Sequence, residues 1–284
     1  MKAEELVKEG RLDDALAALQ DTVRDAPARA DLRVFLFQLL SVMGRWDRAL
    51  TQLNVAAELD SKNLLMAQVC RAALQCEALR AEVFAGKRTP LVLGEPQPWV
   101  GRLVESLRMR AQGHHPQADD LRDQAFEDAP ASPGFVDQAP FEWLADLDDR
   151  LGPCFEAIVE GRYYWVPMAN VASLDIDPPA DLRDTVWSPV RFTWTNGGDA
   201  IALMPVRYPG SETSTDDALR AARKTEWVGP EDAQTPAGQR MWATPDDERS
   251  MLATRRVVFG TEWTEAQLPG DDEAQPADGT PADG

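Results

Sequence analysis

Acidic side chains are the first residues of this chain whose type and spacing could do chemistry. The segment DLDD (residues 146–149) resembles the start of a calcium-binding loop. Such a loop needs oxygen ligands at alternate positions, glycine at the sixth and glutamate at the twelfth. Counted from the first aspartate, Leu151 stands sixth and Ala157 twelfth. We therefore expect a structural role, in which a carboxylate pairs with Arg150 or Arg162 or caps a backbone turn.

Catalytic and metal-binding patterns are otherwise weak. Glu142, Glu156 and Glu160 could supply paired carboxylates, although a solvated face explains them equally. His114 and His115 are the only histidines, and adjacent side chains on a helix point in different directions. The motifs GxSxG, HExxH and GxGxxG do not occur. The sequence therefore predicts no catalytic, cofactor or metal site. A hydrolase active in the second, β-rich half of the chain remains an alternative, marked by a deep pocket that holds two or more carboxylates of shifted pKa.

A repeat organises the first half of the chain. The segment GRLDDAL at residues 10–16 returns as GRWDRAL at residues 44–50. A period of 34 residues is typical of tetratricopeptide repeats, which stack helix pairs around a groove. Gly113 and Ala118 repeat the same anchors further on. The pattern predicts helices at residues 2–9, 12–25, 29–43, 46–59, 62–85, 98–112 and 115–128.

The groove-facing positions follow from the repeat offsets. They are Asp31, Val34, Phe35 and Gln38 in the second repeat, then Leu65, Gln68, Val69 and Ala72 one period later. In the repeat before Gly113 the same offsets give Val100, Leu103, Val104 and Leu107. These side chains suit the apolar face of an amphipathic helix, with Phe35 as the main anchor. The alternative is that a degenerate third repeat unit or the second domain folds over the groove, in which case these residues belong to the core.

The second half of the chain has a different pattern. Seven of the nine tryptophans lie between Trp143 and Trp263, and short apolar runs alternate with turn residues. Predicted strands span residues 163–167, 171–176, 191–195, 200–205, 239–243 and 254–259, and residues 215–224 are predicted as a short helix. The segment FTWTNGGDAIAL (residues 192–203) reads as a hairpin. We expect a mostly antiparallel, partly open barrel-like sheet.

The predicted fold class is thus multi-domain α+β. We expect TPR-like helical repeats at residues 1–130, a linker at 131–140, a tryptophan-rich β domain at 141–260 and an acidic disordered tail at 261–284. The net charge of −19 argues against nucleic acid and anionic membranes as partners. The N-terminal residues have no signal-peptide character, which favours a cytoplasmic protein. Cys70 and Cys76 read as small buried hydrophobes.

Long motifs in the second half identify a family. They comprise Phe141, Trp143, Asp146, Asp148, RLGP (residues 150–153), Glu156, Gly161, Trp165, Pro167, DLRD (181–184), Trp187, Phe192, Trp194, NGG (196–198), MPVRYPGSE (204–212), DDALRAARKTEW (216–227) and GQRM (238–241). With the repeats, they resemble the ImpE/TagJ family of type VI secretion accessory proteins over roughly residues 5–260.

The resemblance implies a cytoplasmic, non-enzymatic adaptor. In some secretion systems the family's member binds the small sheath subunit through an N-terminal helix of that subunit, and it is also linked to the ATPase that disassembles the contracted sheath. A permanent structural subunit of a cytoplasmic assembly is a second alternative. Within the motifs, RYPGSE (residues 207–212) is either an exposed interaction loop or a buried structural turn.

Overall fold

The computed structural model describes residues 1–95, 97–230 and 233–264. Of the predicted acidic tail, residues 265–284 lie outside the described part. The described helices are α1 Lys2–Lys8, α2 Leu12–Asp25, α3 Ala30–Val42, α4 Trp46–Leu59, α5 Leu64–Phe84, α6 Pro98–Ala111, α7 His115–Asp128 and α8 Asp217–Arg220. The first seven confirm the helices predicted from the repeat to within two residues.

Glycine and alanine shape the helix pairs as the repeat predicts. Gly10, Gly44 and Gly113 end the first helix of pairs α1/α2, α3/α4 and α6/α7, with φ values of 77°, 65° and 84°. This left-handed backbone is strained for residues that have a Cβ. Ala15 and Ala49 are fully buried where the paired helices pack closely. The N-terminal half is therefore a TPR-like stack, as predicted.

The rest of the chain forms strands and short helices. The described strands are β1 Leu91–Val92, β2 Gly134–Val136, β3 Ala139–Phe141, β4 Ala145–Asp146, β5 Cys154–Val159, β6 Arg162–Pro167, β7 Val171–Ile176, β8 Trp187–Trp194, β9 Asp199–Pro205, β10 Thr225–Val228, β11 Thr235–Gly238, β12 Met241–Ala243, β13 Glu248–Ser250 and β14 Arg256–Phe259.

Nine of these strands form one open sheet in the order β1-β6-β5-β9-β8-β7-β14-β2-β3. All neighbours in it are antiparallel except β1 and β6. The prediction of a mostly antiparallel sheet is therefore confirmed. The sheet has two ends and does not close on itself. Strands β10 and β11 pair separately, and β13, β12 and β4 form a third small sheet.

Several local predictions need correction. Residues 131–140, expected as a linker, contribute β2 and part of β3 to the main sheet, because Gly134 allows close packing against β14. The helix expected at residues 215–224 shortens to the four residues of α8. Strand β5 was not predicted, since both its faces are buried and its apolar run lacks the alternation of a half-exposed strand.

The helices and the sheet share a core, and a second cluster of buried apolar side chains, which includes Phe155 and Trp242, lies within the sheet half. The shared cluster of buried apolar side chains includes Leu36 and Phe37 of α3 together with Trp165 of β6 and Trp187 of β8. Helix α5 packs against β6, and the 3₁₀ helix Leu182–Thr185 packs against α3. We call this contact between the helical half and the sheet the seam. It positions every residue of the candidate site.

Candidate partner-binding site

A groove opens at one end of the seam, between α5 and the main sheet. Its volume is about 760 Å³. Leu65 and Val69 of α5 lie on one wall, and Ile201 of β9 lies on the other. These three side chains are 74%, 44% and 71% exposed, although each is large and apolar. Exposed apolar side chains gathered around a concavity are typical of an interaction site; we call this surface the α5 groove.

Local sequence explains both walls. Leu65, Gln68, Val69 and Ala72 follow helical spacing, so they share one face of α5, and all four line the groove. On β9, alternate side chains face the same side of the sheet, which places Ile201 and Leu203 on the helix side. The tip of the β5–β6 hairpin closes one border, where a Cβ on Gly161 would lie 3.1 Å from the Cβ of Ala72.

The structure divides the six predicted partner-binding residues into two groups. Leu65, Gln68 and Val69 are exposed in the α5 groove. Val34 and Phe35 are half-buried, and Gln38 is only 7% exposed. The 3₁₀ helix Leu182–Thr185 packs against α3, so this part of the repeat face is covered by the chain itself. In the last repeat, Val100, Leu103 and Leu107 are buried in the core and Val104 is half-buried.

The floor of the α5 groove is tied to α5 by a hydrogen bond. Trp187 lines the groove from β8, and its indole Nε1 donates to Glu77 Oε1 of α5 at 2.7 Å. The ring of Trp46 lies 5.9 Å from that of Trp187, which supports the floor from α4. The two walls are therefore held at a fixed separation by contacts below them.

Beside the groove, the seam is closed by a buried ionic cluster. Arg80 of α5 donates to both carboxylate oxygens of Glu156 on β5, at 2.6 and 2.9 Å. Arg240 pairs with Glu156 and with Asp146, and Tyr163 donates to Glu156. All five side chains are buried. We call this set the ionic cluster.

Charge pairing and burial set the ionisation of the cluster. Burial acts to raise the pKa of Glu156, but the neighbouring Arg80 and Arg240 outweigh it and lower this pKa to about 2. Burial is the largest influence on Asp146 as well, and it raises the pKa to about 7 against the opposing effect of Arg240. Neither carboxylate lines the α5 groove. The carboxyl groups of Glu156 and Asp146 thus lie in a closed interior rather than in a substrate pocket.

The aspartates of the DLDD segment have structural partners, whereas the buried Nδ1 of His115 has no hydrogen-bond partner among the described residues. Arg150 donates to Asp148 at 2.6 and 2.7 Å, and Asp146 Oδ1 accepts the backbone N–H of Asp148, as expected for a capped turn. Glu142 and Glu160 are exposed and are not part of the ionic cluster. His114 and His115 lie at the start of α7 in the turn between two helices. Cys70 and Cys76 are buried free thiols.

The described residues contain neither a candidate metal centre nor a candidate membrane-spanning helix. In residues 1–95, 97–230 and 233–264, no group of three or more His, Cys, Asp or Glu side chains could hold a metal ion. Within the same ranges, no helix combines the length and apolarity needed to cross a bilayer.

The sheet half also caps the helices of the repeats. Arg207 donates to the carbonyl oxygens of Val42 and Ser41 at the end of α3, at 2.5 and 3.2 Å. Arg223 donates to the Val7 and Lys8 carbonyls at the end of α1. The Asp217 carboxylate accepts the N–H of Leu12 at the start of α2, at 2.8 Å. Each charge has the sign that the helix dipole favours at that end.

The motif RYPGSE is therefore a buried turn. Arg207, Tyr208 and Ser211 are buried, and Glu212 lies so close to Gly44 that a Cβ there would be 2.4 Å from its Cγ. Of the two interpretations that the sequence leaves open, the structural turn is the one observed. The motif fixes the sheet to the turn between α3 and α4.

Comparison with known proteins supports the same architecture. Residues 138–258 match the ImpE protein family, and residues 6–72 match a tetratricopeptide repeat family. The type VI secretion system accessory component TagJ of Pseudomonas aeruginosa strain PAO1 is 52% identical over 259 residues, which are 91% of each chain. The chain belongs to the ImpE/TagJ family. The crystal structure of protein VPA1032 from Vibrio parahaemolyticus has a TM-score of 0.81 and 25% identity, covering 92% of this chain and 98% of that one.

Membership of the ImpE/TagJ family confirms the resemblance carried by the motifs, and the structure shows where those motifs lie. Several of them form the seam: Glu156 lies in the ionic cluster, Trp187 lines the groove floor and Arg207 caps α3. Sequence reasoning missed Ile201, because the length of β9 beyond its neighbour cannot be read from β9 alone. It also missed the Glu156 network, although an acidic residue inside the apolar run CFEAIV signals a buried pair.

Proposed function

We propose that this protein is a non-enzymatic adaptor of a type VI secretion system. Its α5 groove binds the apolar face of an amphipathic helix, and that helix is the N-terminal helix of the small sheath subunit. The observation that carries the proposal is the exposure of Leu65, Val69 and Ile201 on facing walls of one groove. Family membership and the name of the P. aeruginosa relative support the secretion system as the setting.

The chemistry of the walls favours a helix over a charged peptide end. Repeat grooves that bind a terminal carboxylate need cationic or amide donors along the concave face. Here α5 offers Leu65 and Val69, one turn apart, with Gln68 between them. A partner helix that presents apolar residues at positions i, i+3, i+4 and i+7 fits such a surface. Arg183 also lines the groove, but it is paired with Asp181 at 3.1 Å.

The test is a titration of the full-length protein with a peptide of the sheath subunit's first helix. Val69→Glu places a charge on the apolar wall, so we expect affinity to fall at least about tenfold. Trp227→Ala is the matched control, because Trp227 is exposed and apolar but lies outside the groove. Unchanged affinity in the folded Val69→Glu variant would exclude the α5 groove as the binding surface.

A pull-down of the sheath subunit with and without its first helix addresses the partner. Loss of capture on deletion of the helix supports the proposal, and unchanged capture contradicts it. Adding the sheath-disassembly ATPase to the same experiment tests the wider adaptor role. Capture of the ATPase by this protein alone indicates a direct link, whereas capture only through the sheath indicates an indirect one.

A further inference from the structure

One end of the α5 groove is closed by the tip of the β5–β6 hairpin. On the α5 side, a Cβ on Gly161 would lie 3.1 Å from the Cβ of Ala72. The Sγ of Cys76, one turn further along α5, lies 3.5 Å from the Gly161 carbonyl oxygen. Beyond this point α5 packs directly against β6. The space beside α5 therefore ends at Ala72.

The same hairpin tip reaches the second wall of the groove. The last two residues of β5 pair with Leu203 and Ala202 of β9, so Glu160, which comes next in the chain, lies opposite Ile201. Glu160 and Ile201 both line the groove. The tip thus extends from the α5 wall to the β9 wall, and Glu160 marks the closed end of the groove.

The other end of the groove, at the start of α5, is open. Leu64 and Leu65 are the first two residues of α5 and are 56% and 74% exposed. Lys62, just before them, is exposed as well. Leu65 and Ala72 are separated by two turns of α5, or about 10 Å. The groove therefore accommodates about two turns of a partner helix, and a longer partner extends out of it past Leu65.

The closed end of the groove presents a carboxylate. Glu160 is exposed, and within residues 1–95, 97–230 and 233–264 no cationic side chain pairs with it. A helix N-terminus has N–H groups without intrahelical partners and a partial positive charge, so a neighbouring carboxylate stabilises it. A helix C-terminus has the opposite charge, and the same carboxylate would repel it.

We infer that the sheath-subunit helix binds antiparallel to α5, with its N-terminus against Glu160 and its C-terminal end leaving the groove past Leu65. Two independent observations give this direction. An N-terminal helix continues into the rest of its subunit from its C-terminal end, and that continuation needs the open end of the groove. The carboxylate at the closed end favours the same orientation. This inference rests on the proposed function, because it takes the same partner to the same groove.

Fusions of the sheath-helix peptide test the direction. One peptide is joined directly, without a linker, to a small folded protein at its N-terminus, and a second is joined in the same way at its C-terminus. In titrations of the full-length protein, we expect the N-terminal fusion to bind at least about tenfold more weakly than the peptide alone and the C-terminal fusion to stay within about twofold. Equal affinities of the two fusions, or the reverse order, would overturn the inference.

Site-specific crosslinking reads the orientation without a bulky fusion. The peptide carries a photoreactive group at its first residue or at its last, and mass spectrometry locates the crosslinks on the unmodified full-length protein. We expect the first residue to crosslink to residues 159–162 at the hairpin tip and the last residue to crosslink near residues 62–65 at the start of α5. The opposite arrangement contradicts the inference and leaves the proposed function standing.

Glu160→Gln tests the electrostatic part of the inference. The substitution keeps the size of the side chain and removes its charge, so we expect the peptide with a free N-terminus to bind about threefold more weakly, with a smaller difference at high salt. Glu142→Gln is the matched control, because Glu142 is exposed but does not line the groove.

Equal affinities of the Glu160→Gln and Glu142→Gln variants for the peptide would contradict the contact between Glu160 and the helix N-terminus. If the peptide does not bind the unmodified protein, the proposed function fails and this inference fails with it. If the peptide binds in the reverse direction, only this inference fails.

Discussion

Phe35 and Val69 occupy the same position in successive repeats, 34 residues apart, and the structure gives them different surroundings. Phe35 is half-buried and packs against the shared core, and its helix is covered by the 3₁₀ helix Leu182–Thr185. Val69 is exposed in the α5 groove. The repeat offset therefore defines which residues face the concave side, but the second half of the chain decides which of them stay accessible.

The covered and open parts of the seam also differ in chemistry. The covered part joins its halves through charged groups such as Arg80, Glu156 and Arg207, each buried and hydrogen-bonded. The open part is apolar, with Leu65 and Ile201 exposed on facing walls. Charged pairs fix one geometry because they need specific partners, whereas an apolar surface can accept a partner from another chain.

The largest expected effect lies in the covered part. Glu156→Gln leaves Arg80 and Arg240 buried without their shared carboxylate, so we expect the free energy of unfolding to fall by about 3–5 kcal/mol. Urea denaturation measures this change. Glu160→Gln, on the exposed hairpin tip four residues later, is the control and should change stability by less than about 0.5 kcal/mol. Equal effects of the two substitutions would remove the distinction between the two parts.

The second largest effect is expected at low pH, where the covered part of the seam should lose stability. The pKa of Glu156 is about 2 in the folded protein, below its ordinary value of 4.5. A carboxyl group whose pKa is lowered in the folded protein stabilises the fold at every pH above its ordinary pKa. This contribution, about 3 kcal/mol, is lost as the pH falls from about 4.5 towards 2. We expect Glu156→Gln to flatten the loss of stability in this window. Parallel pH profiles of the two proteins would contradict the assignment.

The stability that Asp146 contributes depends on pH with the opposite sign. Its pKa of about 7 means that the folded protein holds a proton which the unfolded chain releases near pH 4. This contribution is fully present below about pH 4 and is lost as the pH rises through 7. The Asp146→Asn variant should therefore lose less stability than the unmodified protein across that range, as followed by thermal unfolding. The result separates the pH dependence that Asp146 contributes from the pH dependence that Glu156 contributes.

The helix caps give an intermediate effect. Arg207→Met leaves the Ser41 and Val42 carbonyls without their buried donor, and we expect a loss of about 2 kcal/mol. Arg223→Met removes the equivalent cap from α1, but Arg223 is exposed and water can replace it, so the loss should stay below about 1 kcal/mol. Chemical denaturation compares the pair, and a larger loss for Arg223→Met would contradict the burial argument.

The smallest effects come from the matched repeat positions themselves. Phe35→Ala should lower the free energy of unfolding by about 1–2 kcal/mol and leave binding of the sheath-helix peptide within about twofold. Val69→Ala should change stability by less than about 0.5 kcal/mol and weaken peptide binding about fivefold. Thermal unfolding and peptide titration of both variants check that stability falls more for Phe35→Ala and that peptide binding weakens more for Val69→Ala. If Phe35→Ala weakened binding more than Val69→Ala, the covered face would be part of the binding surface.

The helical half could be predicted from sequence because its signals are local. The 34-residue period, the glycine turns and the proline that begins α6 place each helix within two residues. The sheet was harder, since β5 has no alternation and β2 and β3 lie where Gly134 and Pro140 suggested a linker. Strands buried on both faces or added at an edge depend on partners far away in the chain.

Only half of the candidate site could be predicted, for the same reason. Leu65, Gln68 and Val69 follow from the repeat offset, which is a property of α5 alone. Ile201 lines the groove because β9 extends beyond the last residue that pairs with β5. This is a relation between two hairpins separated by about forty residues. The covering of α3 likewise depends on the 3₁₀ helix Leu182–Thr185, which lies far away in the chain.

The packing of the 3₁₀ helix Leu182–Thr185 against α3 has a practical consequence for interaction screens. A fragment limited to residues 1–130 would lose the 3₁₀ helix Leu182–Thr185 and would uncover the face of α3 that this helix contacts. The fragment would then expose an apolar surface that is covered in the full-length protein. Binding partners found with such a truncation would report on an artefact of cutting, so bait proteins should retain both halves.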